Sequence, residues 1–112
     1  MKNYTELYDA QGDYITDERY TEIIKLHDML ITAEIPHEFK RIMDGWQVIY
    51  PADGPERVMD AVQNFGSYGA DENLLEIMGL LTPEEEKHDT VLGYLTAKDV
   101  FDRIQEHWGS EQ

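Results

Sequence analysis

Phe39-Lys40-Arg41-Ile42-Met43-Asp44-Gly45-Trp46-Gln47-Val48-Ile49-Tyr50 is the stretch that decides the fold class. Apolar and polar residues alternate on both sides of Asp44-Gly45. A two-residue type I′ turn needs positive φ at both central positions, and Asp-Gly supplies it at little cost. The stretch therefore predicts a hairpin that pairs Met43 with Trp46, Arg41 with Val48 and Phe39 with Tyr50. Those six side chains share one mostly apolar face, with Ile42 and Ile49 on the other beside Lys40 and Gln47.

On the N-terminal side, Tyr20, Ile23, Ile24, His27, Leu30 and Ile31 recur at helical spacing. They predict an amphipathic helix over about residues 17–33. Thr16 or Asp17 would cap it, with Asp17 and Glu18 in the first turn and Pro36 marking its exit. Residues 1–15 are rich in Tyr and Asp and predict a tail or loose first element.

After the hairpin, Pro51-Ala52-Asp53-Gly54-Pro55 is a turn cluster. Arg57 to Gln63 alternates as a third strand would, with two turns of helix as the alternative. Leu74 to Leu81 is a second run that strand or helix could fit, and a strand broken at Gly79 is the preferred reading. Gly79-Leu80-Leu81-Thr82-Pro83-Glu84-Glu85 then returns as Gly93-Tyr94-Leu95-Thr96-Ala97-Lys98-Asp99. Each copy sets a Thr cap before an acid at the third helical position, a capping box in the first copy and a weaker Asp version of one in the second. The first copy predicts a short acidic turn. The second opens a final helix over about residues 97–108, with Val100, Phe101, Ile104 and Trp108 inward and 109–112 as a C-terminal tail. The expected class is α+β: one domain over 16–108, with a small antiparallel sheet of three to four strands. An N-terminal and a C-terminal helix pack on the same sheet face.

Composition sets the surroundings. Twenty-four acids stand against nine bases in 112 residues, a formal net charge of −15. Such a chain repels nucleic acid and anionic membranes and attracts basic surfaces. Its hydrophobic share, 41%, still supports a core. There is no cysteine, so disulfides and thiolate chemistry are excluded. Met1-Lys2-Asn3-Tyr4-Thr5-Glu6 lacks the apolar run of a signal peptide, and no stretch is long and apolar enough for a membrane span. A cytoplasmic location in a bacterial host cell is expected. The excess of acid is uneven: residues 1–34 carry −5 and residues 64–95 carry −6, while 35–63 and 96–112 carry −2 each.

Motif chemistry is absent. Gly66-Ser67-Tyr68-Gly69 reads as a turn between strands and lacks the Gly-x-Ser-x-Gly pattern of a nucleophile elbow. No phosphate loop, dinucleotide fingerprint or paired-His metal motif occurs. Asp9, Asp13, Asp17 and Glu18 lack the offsets of a calcium loop. His27 falls on the apolar helix face, where a hydrogen-bonded core role is expected, and His107 meets the final helix's C-terminal dipole. No catalytic residue, metal or cofactor is expected. Were there an enzyme here, Tyr68 and Tyr94 with His37 or His88 would be the place to look. The one basic cluster, Lys40-Arg41, is flanked by Glu38 and Asp44, which does not suit phosphate contact.

Gly66-Ser67-Tyr68-Gly69, Leu74-Leu75-Glu76-Ile77-Met78-Gly79-Leu80-Leu81 and Gly93-Tyr94-Leu95-Thr96-Ala97-Lys98-Asp99-Val100-Phe101 form a distinctive set. With the Asp44-Gly45-Trp46 hairpin they cover roughly residues 35–105. The set resembles small acidic accessory proteins encoded in phages and prophages. The resemblance implies a mobile-element context and transfers no catalytic residue.

With the charge, this leads to an expected role by protein–protein interaction. The expected partner is a basic protein surface, sharpest as the nucleic-acid-binding groove of a host defence nuclease that an anti-CRISPR-like mimic would occupy. Duplex DNA carries one charge per ~1.7 Å, so an excess of this size matches ~25 Å of duplex. The expected partner-binding residues are Asp71, Glu72, Glu76, Glu84, Glu85, Glu86 and Asp89, with Asp9, Asp13, Asp17 and Glu18 as a second patch. The alternative is a non-enzymatic interaction module or homo-oligomer, which a dimer whose sheet buries Ile42 and Ile49 would favour.

Overall fold

The computed structural model describes residues 17–111. The expected N-terminal tail, the Thr16 cap, Asp9 and Asp13 lie outside the described residues. Five strands form one antiparallel sheet in chain order: β1 (Glu38–Ile42), β2 (Gly45–Tyr50), β3 (Met59–Gln63), β4 (Leu75–Met78) and β5 (Val91–Leu95). Helix α1 (Thr21–Thr32) precedes the sheet, α2 (Pro83–His88) joins β4 to β5, and α3 (Ala97–Ser110) follows. The class is α+β. The alternation over Met59–Gln63 is a strand, and of the run Leu74 to Leu81 only Leu75–Met78 is strand, which stops at Gly79 and does not resume at Leu80 and Leu81.

One face of the sheet builds the core. Trp46, Val48 and Tyr50 of β2, Met59 and Ala61 of β3, and Leu75 and Ile77 of β4 alternate inward. Against them lie Ile23, Leu26 and Leu30 of α1 and Ala97, Val100 and Ile104 of α3, each set spaced by three and four residues. The two helices also pack on each other. Fully burying one such aliphatic side chain stabilises the fold by ~1.5–3 kcal/mol.

The hairpin keeps its expected faces but turns one residue earlier. Arg41 stands opposite Trp46, Phe39 opposite Val48, and Ile42 opposite Gly45. The pairings of Met43 with Trp46, Arg41 with Val48 and Phe39 with Tyr50 are therefore corrected. The loop residues are Met43, at φ 42°, and Asp44. Moving the turn by one residue shifts the pairing by two, which preserves the faces. The cause is the use made of Gly45. A Cβ there would lie 2.0 Å from the Gln63 carbonyl oxygen and 2.7 Å from the Asn64 Cβ. Glycine serves close strand approach, and the turn is formed by its neighbours. Asp44 is held by three partners: Phe65 N–H donates to its carboxylate at 3.1 Å, the Tyr20 hydroxyl at 3.3 Å, and the Arg19 guanidinium to its carbonyl at 2.8 Å.

Helix α1 starts at Thr21 rather than near Asp17, and its N-cap residue, Tyr20, makes no side-chain cap. The exposed N–H groups of a helix start must find acceptors, and here they find them far along the chain. Asn73 Oδ1 accepts from Thr21 N–H at 2.9 Å, and Gln63 Oε1 accepts from Ile23 N–H at 3.1 Å. Gln63 Nε2 donates to Asn73 Oδ1 and Asn73 Nδ2 to Thr21 Oγ1, both at 2.6 Å. Asn73 sits at φ 57°, a left-handed conformation that asparagine tolerates better than most residues.

Both expected capping boxes are present, on Thr82 with Glu85 and on Thr96 with Asp99. The first opens a helix rather than a turn, and the helix opened by the second runs through Gly109 and Ser110, which were expected in the tail. The fifth strand, β5, exceeds the three to four expected. Gly93, Tyr94 at φ 61° and an irregularity in the β4–β5 pairing break its alternation.

Candidate partner-binding surface

The acidic run from Asp71 to Asp89 is divided by β4. Asp71 and Glu72 form a single 3-10 turn before the strand, and Glu84, Glu85, Glu86 and Asp89 lie in or at the end of α2, after it. Four residues of strand, ~13 Å at the rise of an extended chain, keep the two groups at opposite ends of β4. They do not form one patch.

The groups also differ in what their carboxylates do. Glu85 is structural: Arg103 of α3 grips it through two bonds of 2.8 and 2.7 Å while also donating to the Leu80 carbonyl at 2.9 Å. Glu85 further accepts the Thr82 N–H at 2.8 Å. The Arg103 guanidinium, followed by that backbone bond, pulls the Glu85 carboxyl down to about 2. Glu84 meets Lys87 at 3.4 Å on the exposed face, and Asp89 accepts from its neighbour Thr90. Asp71, Glu72 and Glu86 are exposed and form no ion pair among the described residues.

Asp17, expected in the second patch, is also structural. Its carboxylate binds the Arg19 guanidinium at 3.0 Å and accepts the Trp46 indole N–H at 3.1 Å, and its side chain is 6% exposed. Hydrogen bonding from Arg19 lowers its pKa. Glu18 beside it is exposed.

At the Asp71 end the connection between β3 and β4 folds onto β5. Tyr68 N–H donates to Glu76 at 2.9 Å, and Tyr94 N–H donates to the Tyr68 carbonyl at 3.2 Å. Phe65, Tyr68 and Tyr94 are exposed there. Glu76 thus touches an exposed aromatic segment, a link the sequence did not signal.

The histidines considered as chemistry do not converge with the tyrosines. His37 precedes β1, at the opposite edge of the sheet from β5, and His88 lies at the other end of β5 from Tyr94. Instead His37 and His27 pair, Nε2 to Nδ1, at 2.7 Å. His37 Nδ1 donates to the Ile35 carbonyl at 2.9 Å, which leaves its Nε2 to accept. Burial lowers the His37 pKa. His27 stacks on Phe39, Phe39 on Trp46, and the Arg41 guanidinium caps the Trp46 ring. On the helix side, the Tyr50 hydroxyl lies 2.7 Å from His107 Nδ1, beside an open groove of about 470 Å³ lined by Leu80, Leu81, Thr82, Arg103, Glu106 and His107. Its strongest donors, on Arg103, are already spent on Glu85 and Leu80.

Among the described residues no group of three or more His, Asp or Glu is arranged to hold a metal ion. No helix among them is long and apolar enough to cross a membrane. No family model matches the chain, and neither a curated protein nor a solved structure matches it.

Proposed function

We propose that the protein acts by binding a basic protein surface, without chemistry of its own, as a phage-type accessory protein in a bacterial host cytoplasm. Its sharpest form is occupation of the nucleic-acid-binding groove of a defence nuclease, in the manner of an anti-CRISPR mimic. The observation that carries this reading is the division of labour among the charges. Arg19, Arg57, Lys98 and Arg103 are held by Asp17, Asp60, Asp102 and Glu85 within 3.0 Å. Glu18, Asp71, Glu72 and Glu86 face solvent with no ion pair among the described residues. The field felt from outside is therefore strongly negative, which steers association with basic partners and weakens with salt. The homodimer alternative gains less support, because Ile49 is already fully buried within the single chain.

Affinity capture from a bacterial lysate, with and without competing duplex DNA, tests this reading. The expected result is recovery of a nucleic-acid-binding protein that DNA displaces and that is lost in high salt. Recovery of proteins indifferent to both DNA and salt would contradict it.

A further inference from the structure

We propose that the sheet end carrying Phe65, Tyr68 and Tyr94 beside Asp71, Glu72 and Glu76 is a docking surface for an arginine- or lysine-rich protein segment. This rests on the basic-partner reading and names the surface and chemistry that would serve it.

Three large apolar side chains stand in water here, Phe65 at 84%, Tyr68 at 52% and Tyr94 at 60% exposure. They contribute little to the core, yet the backbone is specialised to present them. Tyr94 holds φ at 61°, a conformation that L side chains rarely adopt and that costs of order 1 kcal/mol. Two glycines admit the close contact that fixes the tyrosines. A Cβ at Gly93 would lie 2.3 Å from the Tyr68 Cβ, and one at Gly69 would lie 2.9 Å from the Tyr94 nitrogen. The Tyr94-to-Tyr68 backbone bond and the Tyr68-to-Glu76 bond close the arrangement. Phe65 is tied to Asp44 through its N–H. The three aromatics are thus mounted on a fixed backbone, as anchors of a binding surface should be.

The chemistry around them selects the occupant. Aromatic faces attract guanidinium and ammonium groups, and adjacent carboxylates supply charge-assisted hydrogen bonds. Asp71 and Glu72, both exposed, follow Tyr68 by three and four residues on the same connection, and the Glu76 carboxylate accepts the Tyr68 backbone N–H. Residues 64–95 contain one base, Lys87, which lies beyond the far end of β4 in α2, and Arg19, which reaches the Asp44 carbonyl near Phe65, is paired with Asp17. A second copy of this chain would bring the same carboxylates against these, and nucleic acid would be repelled. A basic protein segment fits.

Fluorescence anisotropy with a labelled nona-arginine peptide at physiological salt tests the assignment. Tyr68→Ala and Tyr94→Asn, singly and together, remove the aromatic faces, and asparagine accepts the left-handed backbone. The double variant should bind about tenfold more weakly with an unchanged circular dichroism spectrum; should it not fold, the single variants decide. Glu84→Lys with Glu86→Lys, at the other end of β4, should weaken binding less than about threefold. Folded tyrosine variants that bind like the wild type would overturn the surface while leaving a basic partner in place. So would an α2 variant weakened as much as they are. A wild-type protein that ignores the peptide would overturn the basic-partner reading itself.

Discussion

Asp71, Glu72 and Glu76, before and within β4, and Glu84, Glu85, Glu86 and Asp89, after it, read alike in composition. They sit on different constructions. Asp71 and Glu72 lie on, and Glu76 bonds to, a connection locked to three neighbours: to α1 through Asn73, to the β1–β2 turn through Phe65 and Asp44, and to β5 through Tyr68 and Tyr94. The second group, Glu84 to Asp89, lies on or at the end of a six-residue helix with no buried residue, held to α3 by Arg103 and Glu85. Equal charge density therefore gives a rigid platform at one end and a lightly stapled tip at the other. Charge counted along the chain measures attraction at long range. It does not say where a partner finds fixed contacts.

That contrast can be broken by substitution. Gly45→Ala should be the most damaging, because its Cβ would meet the Gln63 carbonyl at 2.0 Å and drive β2 away from the end of β3. A loss of about 3 kcal/mol or more in denaturant unfolding is expected, and a near-neutral result would refute the close approach. Asn73→Ala comes next. It removes the distant cap of α1 and places alanine at φ 57°, for an expected loss of about 2–3 kcal/mol. Asn73→Gly should recover only the backbone part of that loss.

At the other end Glu85→Gln or Arg103→Ala should cost about 1 kcal/mol, since the pair is a quarter exposed and its charges are partly screened. The pair also sets an acid dependence. The Glu85 carboxyl titrates at about 2 when folded, against 4.5 ordinarily. Its contribution is complete above the ordinary value and is lost as pH falls from there toward 2. Glu85→Gln should flatten the stability profile across that window. Smallest of all, Glu84→Lys with Glu86→Lys should leave stability within about 0.5 kcal/mol. A large loss would show that the α2 tip is more than an exposed acidic helix.

Local chemistry explains which parts of this architecture were legible in the sequence. The Thr82 and Thr96 boxes are complete within four residues, and the apolar spacing of Ile23, Leu26 and Leu30 needs only its own helix, so both were readable. The cap of α1 was not, because its acceptors lie 40 and 52 residues away. Asp44-Gly45 signals turn chemistry, whereas a neighbouring strand decides the use of Gly45. β5 was hidden by the features that make it interesting, Gly93 and a left-handed Tyr94. At the candidate site, sequence identified the acids but could not separate Asp17 and Glu85, which hold the fold together, from Asp71, Glu72 and Glu86, which face outward. It gave no sign that Phe65, Tyr68 and Tyr94 stand exposed at the Asp71 and Glu72 end of the sheet.

The most direct measurement is a titration of the ¹⁵N-labelled protein with unlabelled nona-arginine, followed by amide chemical shifts. The account predicts that shifts concentrate at Phe65 to Glu76 and Gly93 to Leu95, with Pro83 to Asp89 moving little. Shifts centred on Glu84 to Asp89, or spread evenly over every exposed acid, would contradict it.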